Sequence, residues 1–228
     1  MTACGGKENV SEEPAEEAVE EVVEETEEVE EEVAEEVEDE ATEEPAEEAS
    51  SDYTKGTSTE TSYESEWIGI RFTAPEGATM MTEEELNEMM GISQDMLSED
   101  FNDLQLKIAE MNTVQEMMCT AADGIPNVTI AAEKIQSNMT LEEYMEMLKS
   151  TLEQVTSMAY TVELTDEVVT IGGKDFTKLS AVAEVDGATL NQDFFAMIQG
   201  DRAVSITLTY AEGFEDAADE MLNSFEAY

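Results

Sequence analysis

The side chains of this chain that could do chemistry are carboxylates, thioethers and two thiols. It carries 58 Asp and Glu against 9 Lys and Arg, with 15 Met, 2 Cys and no His. Without histidine there is no imidazole metal ligand, no histidine general base and no nucleophile–histidine arrangement. Two carboxylates can work as acid and base when their environments push their proton affinities apart. With 33 acids among residues 63–228, however, close pairs arise by chance and no spacing singles one out. Gly-rich phosphate loops and EF-hand spacing are absent, and Asp123-Gly124 and Asp186-Gly187 read as turns. No catalytic, cofactor-binding or metal-ligating residue is assigned, no cofactor is expected, and the chain reads as non-enzymatic.

Methionine is the one unusual excess, with doublets at Met80-Met81, Met89-Met90 and Met117-Met118. Thioethers fill irregular cores and also line adaptable binding grooves, and they suit Cu(I). Core packing is the leading reading, with a partner groove and copper left open. Cys119 falls in an apolar alternating run and reads as a buried thiol.

The formal net charge is −49, with 25 acids against 2 bases in residues 1–62 and 33 against 7 in 63–228. Both parts are acidic, so the field repels phosphate backbones, and nucleic-acid binding is excluded as a function class.

Cys4 has a context of its own. Met1-Thr2-Ala3-Cys4-Gly5-Gly6 resembles the end of a bacterial lipobox, in which small residues precede a cysteine that is lipidated and then becomes the first residue. The resemblance implies lipid attachment at Cys4, with palmitate-type acyl chains. It also implies a place on the extracytoplasmic face of the cell membrane. Met1 stands where leucine is usual, and the charged and apolar parts of a signal peptide do not precede it; a trimmed or late start accounts for both.

From Glu12 to Glu48 the chain is almost only Glu, Val and Ala, and residues 50–62 are rich in Ser and Thr. Val19, Val22, Val29 and Val33 follow a helical spacing. Glutamates three and four residues apart repel one another, and the apolar surface is too small to offset the entropy of ordering. Residues 1–62 are therefore read as a lipidation motif and a disordered acidic spacer. A flexible chain of that length spans roughly 40–45 Å, a tether that holds a domain clear of the bilayer.

Residues 63–228 read as one α+β domain. Trp67–Phe72 is expected to be a first strand. Thr82 with Glu85 forms a capping box that opens a helix, and Ser93 starts another carrying Leu97, Phe101, Leu104, Ile108 and Met111. Strands follow at about 113–121 and 127–135. Thr140 with Glu143 is a second capping box, opening a helix with Leu141, Tyr144, Met145, Leu148, Leu152 and Val155 on one stripe. Strands at about 160–171, 174–185, 188–198 and 204–210 are separated by Gly172-Gly173, Asp186-Gly187 and Gln199–Arg202, turns too short for parallel crossovers. A last helix is expected to bury Phe214, Ala217, Ala218, Met221, Leu222 and Phe225. The result is a mostly antiparallel sheet flanked by helices.

The strand before Pro75-x-Gly77, the Thr140–Tyr144 helix start, Val169-x-Ile171-Gly172-Gly173-Lys174, Thr207–Tyr210 and Met221-Leu222-x-Ser224-Phe225 occur in that order. In this the domain resembles the PsbP-like superfamily, especially its DcrB-like bacterial lipoproteins, although Ala78 stands where members often carry Trp. The resemblance implies an αβα sandwich used for binding and scaffolding. The reading is then a non-enzymatic cell-envelope lipoprotein, held to the membrane through Cys4, whose domain binds an envelope protein or a small ligand. An accessory component of an envelope transport or cell-wall assembly system is the alternative, and a carboxylate-dependent hydrolase the third.

Overall fold

A computed structural model describes residues 53–89, 101, 109, 112–156, 158–185 and 187–228. Cys4 and the acidic segment through residue 52 lie outside these, as does nearly all of the helix expected from Ser93 to Met111. The described chain begins at Tyr53 and so includes ten residues before position 63. Residues 53–62 carry β1 (Thr57–Ser58) and the first residue of β2 (Ser62–Ser65). Composition hides this, because the segment is held by a few specific contacts and not by an apolar pattern.

The architecture is α+β. After β2 come β3 (Ile70–Thr73), β4 (Thr79–Met80), a helix α1 described over residues 83–89, β5 (Thr113–Thr120) and β6 (Asn127–Lys134). Then follow α2 (Leu141–Gln154), β7 (Thr161–Ile171), β8 (Lys174–Val185), β9 (Ala188–Gln199), β10 (Arg202–Ala211), α3 (Glu215–Asn223) and β11 (Phe225–Ala227). A seven-stranded sheet runs β4-β5-β6-β10-β9-β8-β7, and a four-stranded sheet runs β1-β2-β3-β11. All pairings are antiparallel, and β7 to β10 form the meander that the short turns require.

Period-two alternation decides what each face of the large sheet buries. On one face Val128 and Ile130 of β6, Val204, Ile206 and Leu208 of β10, and Phe195 and Met197 of β9 meet Tyr63, Ile70, Phe72 and Phe225 of the small sheet. Ala218 and Met221 of α3 close the same core. On the other face Tyr144, Met145 and Leu152 of α2 pack on Leu179, Ala181, Ala196 and Ala203. One outer layer is thus helical, while the other combines a small sheet with a helix.

Local chemistry sets the element ends. Thr140 Oγ1 accepts from the Glu143 amide at 3.2 Å, and Glu143 accepts from the Thr140 amide at 2.8 Å. The same reciprocal pair joins Thr82 and Glu85, so both expected capping boxes form. Trp67 is not in a strand. It sits in the turn between β2 and β3, where Ser65 accepts from the amides of Ile68 and Gly69 and Gly69 adopts φ +81°. Phe214 is 42% exposed at the start of α3. Phe225, expected on that helix, instead pairs with Phe72 in β11.

The turn between β7 and β8 needs its glycines. Gly172 and Gly173 lie at φ +56° and +78°, a conformation suited to a two-residue hairpin. A Cβ on Gly172 would meet Ile70 Cγ2 at 2.9 Å and the Glu226 carbonyl oxygen at 3.0 Å. Gly187, at φ +82°, has nothing within 4 Å of the corresponding position. In urea unfolding, Gly187→Ala is expected to cost about 1 kcal/mol from backbone strain alone. Gly172→Ala should cost roughly 2–4 kcal/mol, because overpacking adds to the strain.

Candidate functional site

β5 contains a bulge. Gln115 pairs with Ala131 and Met117 with Ile130, which leaves Glu116 as the additional residue. Bulges re-aim side chains, and this one helps place a carboxylate that is 2% exposed. Glu116 Oε1 accepts from the Tyr53 hydroxyl at 2.5 Å, and Oε2 accepts from the Gly56 amide at 2.8 Å and the Tyr63 hydroxyl at 3.0 Å. No cation is paired with it in a salt bridge among the described residues; three donors replace water around it, as a buried anion requires.

Tyr53 is held from other directions as well. The Arg202 guanidinium lies 3.9 Å from its ring centroid, a cation–π contact, while the Trp67 ring meets it edge-on at 5.1 Å. Arg202 Nη1 donates to the Ala132 carbonyl at 3.1 Å, and Gln199 Nε2 donates to the Trp67 carbonyl. Burial, then the bond to Glu116, raises the Tyr53 hydroxyl above its ordinary range, and burial with the Glu116 charge does the same to Tyr63. Both phenols therefore stay protonated and donate.

Beside this cluster runs a groove of about 810 Å³. Residues 55–60 form one wall, residues 79–83 with Glu85 and Leu86 the other, and Glu116 also lines it. Thr57, Ser58, Thr79 and Thr82 line the groove together with the apolar Met80, Met81 and Leu86. Three of its four carboxylates are engaged: Glu116 as above, Glu83 with Lys55 at 3.3 Å, and Glu85 as the cap of α1, while Glu60 has no such partner among the described residues. The Thr82 amide, followed by the Thr82 hydroxyl, holds the Glu85 carboxyl below its usual range.

A second groove of about 420 Å³ opens on the opposite face of the large sheet. Met81, Met89 and Met118 line it together with Thr129, Thr207 and Thr209. The methionine doublets thus divide between environments. Met80 and Met117 are core residues, Met80 also reaching the first groove, whereas Met81 and Met118 line the second; Met90 lies outside the described residues. No group of His, Cys, Asp and Glu able to hold a metal occurs among the described residues.

Asp193, 7% exposed, forms a separate polar cluster in the large sheet. It pairs with Lys178 Nζ at 3.1 Å and accepts from the hydroxyls of Ser180 at 2.6 Å and Tyr210 at 3.3 Å. Burial and then the Asp193 charge push the Tyr210 hydroxyl up to about 12. Glu133, whose proton affinity burial raises, accepts from Tyr144 of α2 at 3.2 Å and lines neither groove. Cys119 is a free thiol fully buried in the core, pushed up to about 11 by burial.

No protein-family model matches the chain. No curated protein matches it either. Among solved structures, the chain is similar to cyanobacterial PsbP (CyanoP) from Synechocystis sp. PCC 6803. The identity is 14% and the TM-score 0.45, over 77% of this chain and 98% of that one. It is similar to LpqN, involved in cell envelope biogenesis of Mycobacterium tuberculosis, at 11% identity and a TM-score of 0.40, over 69% and 82% of the two chains. A protein from Bacteroides thetaiotaomicron is similar at 13% identity and a TM-score of 0.40, over 74% of this chain and 48% of that one. Likeness at this level carries no functional argument, and the chemistry of the site rests on the chain's own residues.

Composition alone did not reveal Glu116 or its partners. The available signal was a glutamate directly before the apolar Met117-Met118-Cys119, together with two tyrosines, Tyr53 and Tyr63, in a polar stretch.

Proposed function

We propose that the chain is a lipid-anchored protein of the extracytoplasmic face of a bacterial membrane, related to the DcrB-like lipoproteins, whose folded unit is a non-catalytic binding module. Cys4 carries the lipid, the acidic segment is the tether, and the groove beside Glu116 takes a small ligand or a segment of an envelope protein. One observation carries the binding reading. Of the four carboxylates along the groove, Glu116 is bonded to Tyr53, Gly56 and Tyr63, Glu85 to Thr82, and Glu83 is paired with Lys55, which leaves Glu60 as the one without a partner among the described residues. Acid–base hydrolysis wants two converging carboxyls with opposed proton affinities and access to a water. A binding groove wants polar residues set beside apolar surface, and this one is lined by Thr57, Ser58 and Thr79 together with Met80, Met81 and Leu86.

Produced with a full signal peptide in a bacterial host, the protein should partition into the detergent phase, and Cys4→Ser should move it to the aqueous phase. Equal partitioning of the two forms would remove the anchor from this reading.

A further inference from the structure

We propose that residues 53–60 are a releasable strap, a segment that undocks from Glu116 as a unit while the rest of the domain stays folded. None of these residues belongs to the hydrophobic core, whose first member along the chain is Tyr63. β1 lies at the free edge of the small sheet, is two residues long, and is exposed at both. It pairs only as Thr57 with Glu64 and Ser58 with Tyr63, while β2 keeps its own four-residue pairing to β3. The Lys55–Glu83 pair is exposed at both ends, where ion pairs contribute little.

What holds the strap is a polar latch. The Tyr53 hydroxyl and the Gly56 amide supply two of the three hydrogen bonds to Glu116, and the Tyr53 ring sits against Arg202 and Trp67. The fit is close at Gly56, where even a Cβ would come within 2.4 Å of the Tyr63 ring. Lifting the strap leaves Glu116 with Tyr63 and lets water replace the two lost donors. Opening therefore exposes polar groups that water can satisfy and does not unpack the apolar core. Such an opening costs less than global unfolding and occurs as a separate event.

The strap follows the acidic segment directly in sequence and is also one wall of the groove. A ligand lying across both walls holds it down, and a pull on residue 52 lifts it. By linkage, each opposes the other to the same degree. That coupling rests on the tether and groove reading above, whereas the release itself does not.

Residue-resolved hydrogen exchange on the full chain tests the release. The Gly56 and Thr59 amides, both hydrogen-bonded, should be protected, yet exchange at least tenfold faster than core amides of β10 such as Ile206. Tyr53→Phe, which deletes one donor to a buried carboxylate, should speed them a further roughly 10- to 100-fold and leave β10 unchanged. Equal rates in strap and β10 that rise together in Tyr53→Phe would make the strap part of the cooperative core and overturn the proposal. Unprotected strap amides in the wild-type chain would overturn it too. A groove that binds nothing would not alter this result, so the two readings fail separately.

Discussion

Leu208→Asp is expected to abolish folding. Leu208 is 2% exposed, lies in the main core, and belongs to β10, which is flanked by β6 and β9. Its register partner on β9 is Asp193, already committed to Lys178, Ser180 and Tyr210. The new carboxylate would be buried without a partner and directly across from a like charge. An uncompensated buried charge costs about 3–5 kcal/mol, and losing the apolar packing of a leucine adds about 2 kcal/mol or more. Against a total stability of about 5–15 kcal/mol for a domain, that is enough to unfold it. The neighbouring Thr207 faces the opposite side and lines the second groove, so Thr207→Asp should cost less than about 1.5 kcal/mol. Near-ultraviolet circular dichroism and urea titration of the two variants separate these cases. Equal losses would mean that the β10 register is wrong.

Removing residues 1–60 should lower the thermal midpoint by about 10 °C, whereas removing residues 1–52 should change it by no more than about 2 °C. The longer deletion takes Tyr53 and Gly56 away from Glu116 and leaves a buried carboxylate with one of its three donors. Water entering the vacated strap site limits the penalty to about 3 kcal/mol, and for a domain of this length each kcal/mol moves the midpoint by about 2–4 °C. Glu116→Gln in the 1–60 deletion should recover part of the loss, because the neutral amide is cheaper to leave poorly bonded. Similar midpoints for both deletions would show that the Glu116 latch contributes nothing to stability.

The large sheet was legible in the sequence because its signals are local. Gly172-Gly173, Gly187 and Gln199–Arg202 each sit at a turn, and the strands between them alternate with period two. The capping boxes at Thr82 and Thr140 were legible for the same reason, since each is complete within four residues. What was hidden is non-local. Tyr53 meets Glu116 across 63 positions of sequence, and nothing in a Ser/Thr-rich stretch marks one tyrosine as ordered. The bulge that helps orient Glu116 depends on the register with β6, which no single strand encodes. Trp67 was misplaced because its apolar neighbours, Ile68 and Ile70, resemble a strand. The turn-forming roles of Ser65 and Gly69 emerge only once β2 and β3 pair.

The groove was hidden for a related reason, since its two walls come from segments about twenty residues apart that meet only through the sheets. The methionine doublets carried a partial signal. Adjacent residues in a strand face opposite ways, so Met117 in the core and Met118 at a groove follow from one strand crossing between two environments.

Mass spectrometry of the N-terminal peptide, from protein purified out of native membranes, tests the lipid anchor at Cys4. The expected peptide begins at Cys4 and carries a diacylglyceryl thioether on its sulfur. An unmodified Cys4 thiol preceded by intact Ala3 would contradict it.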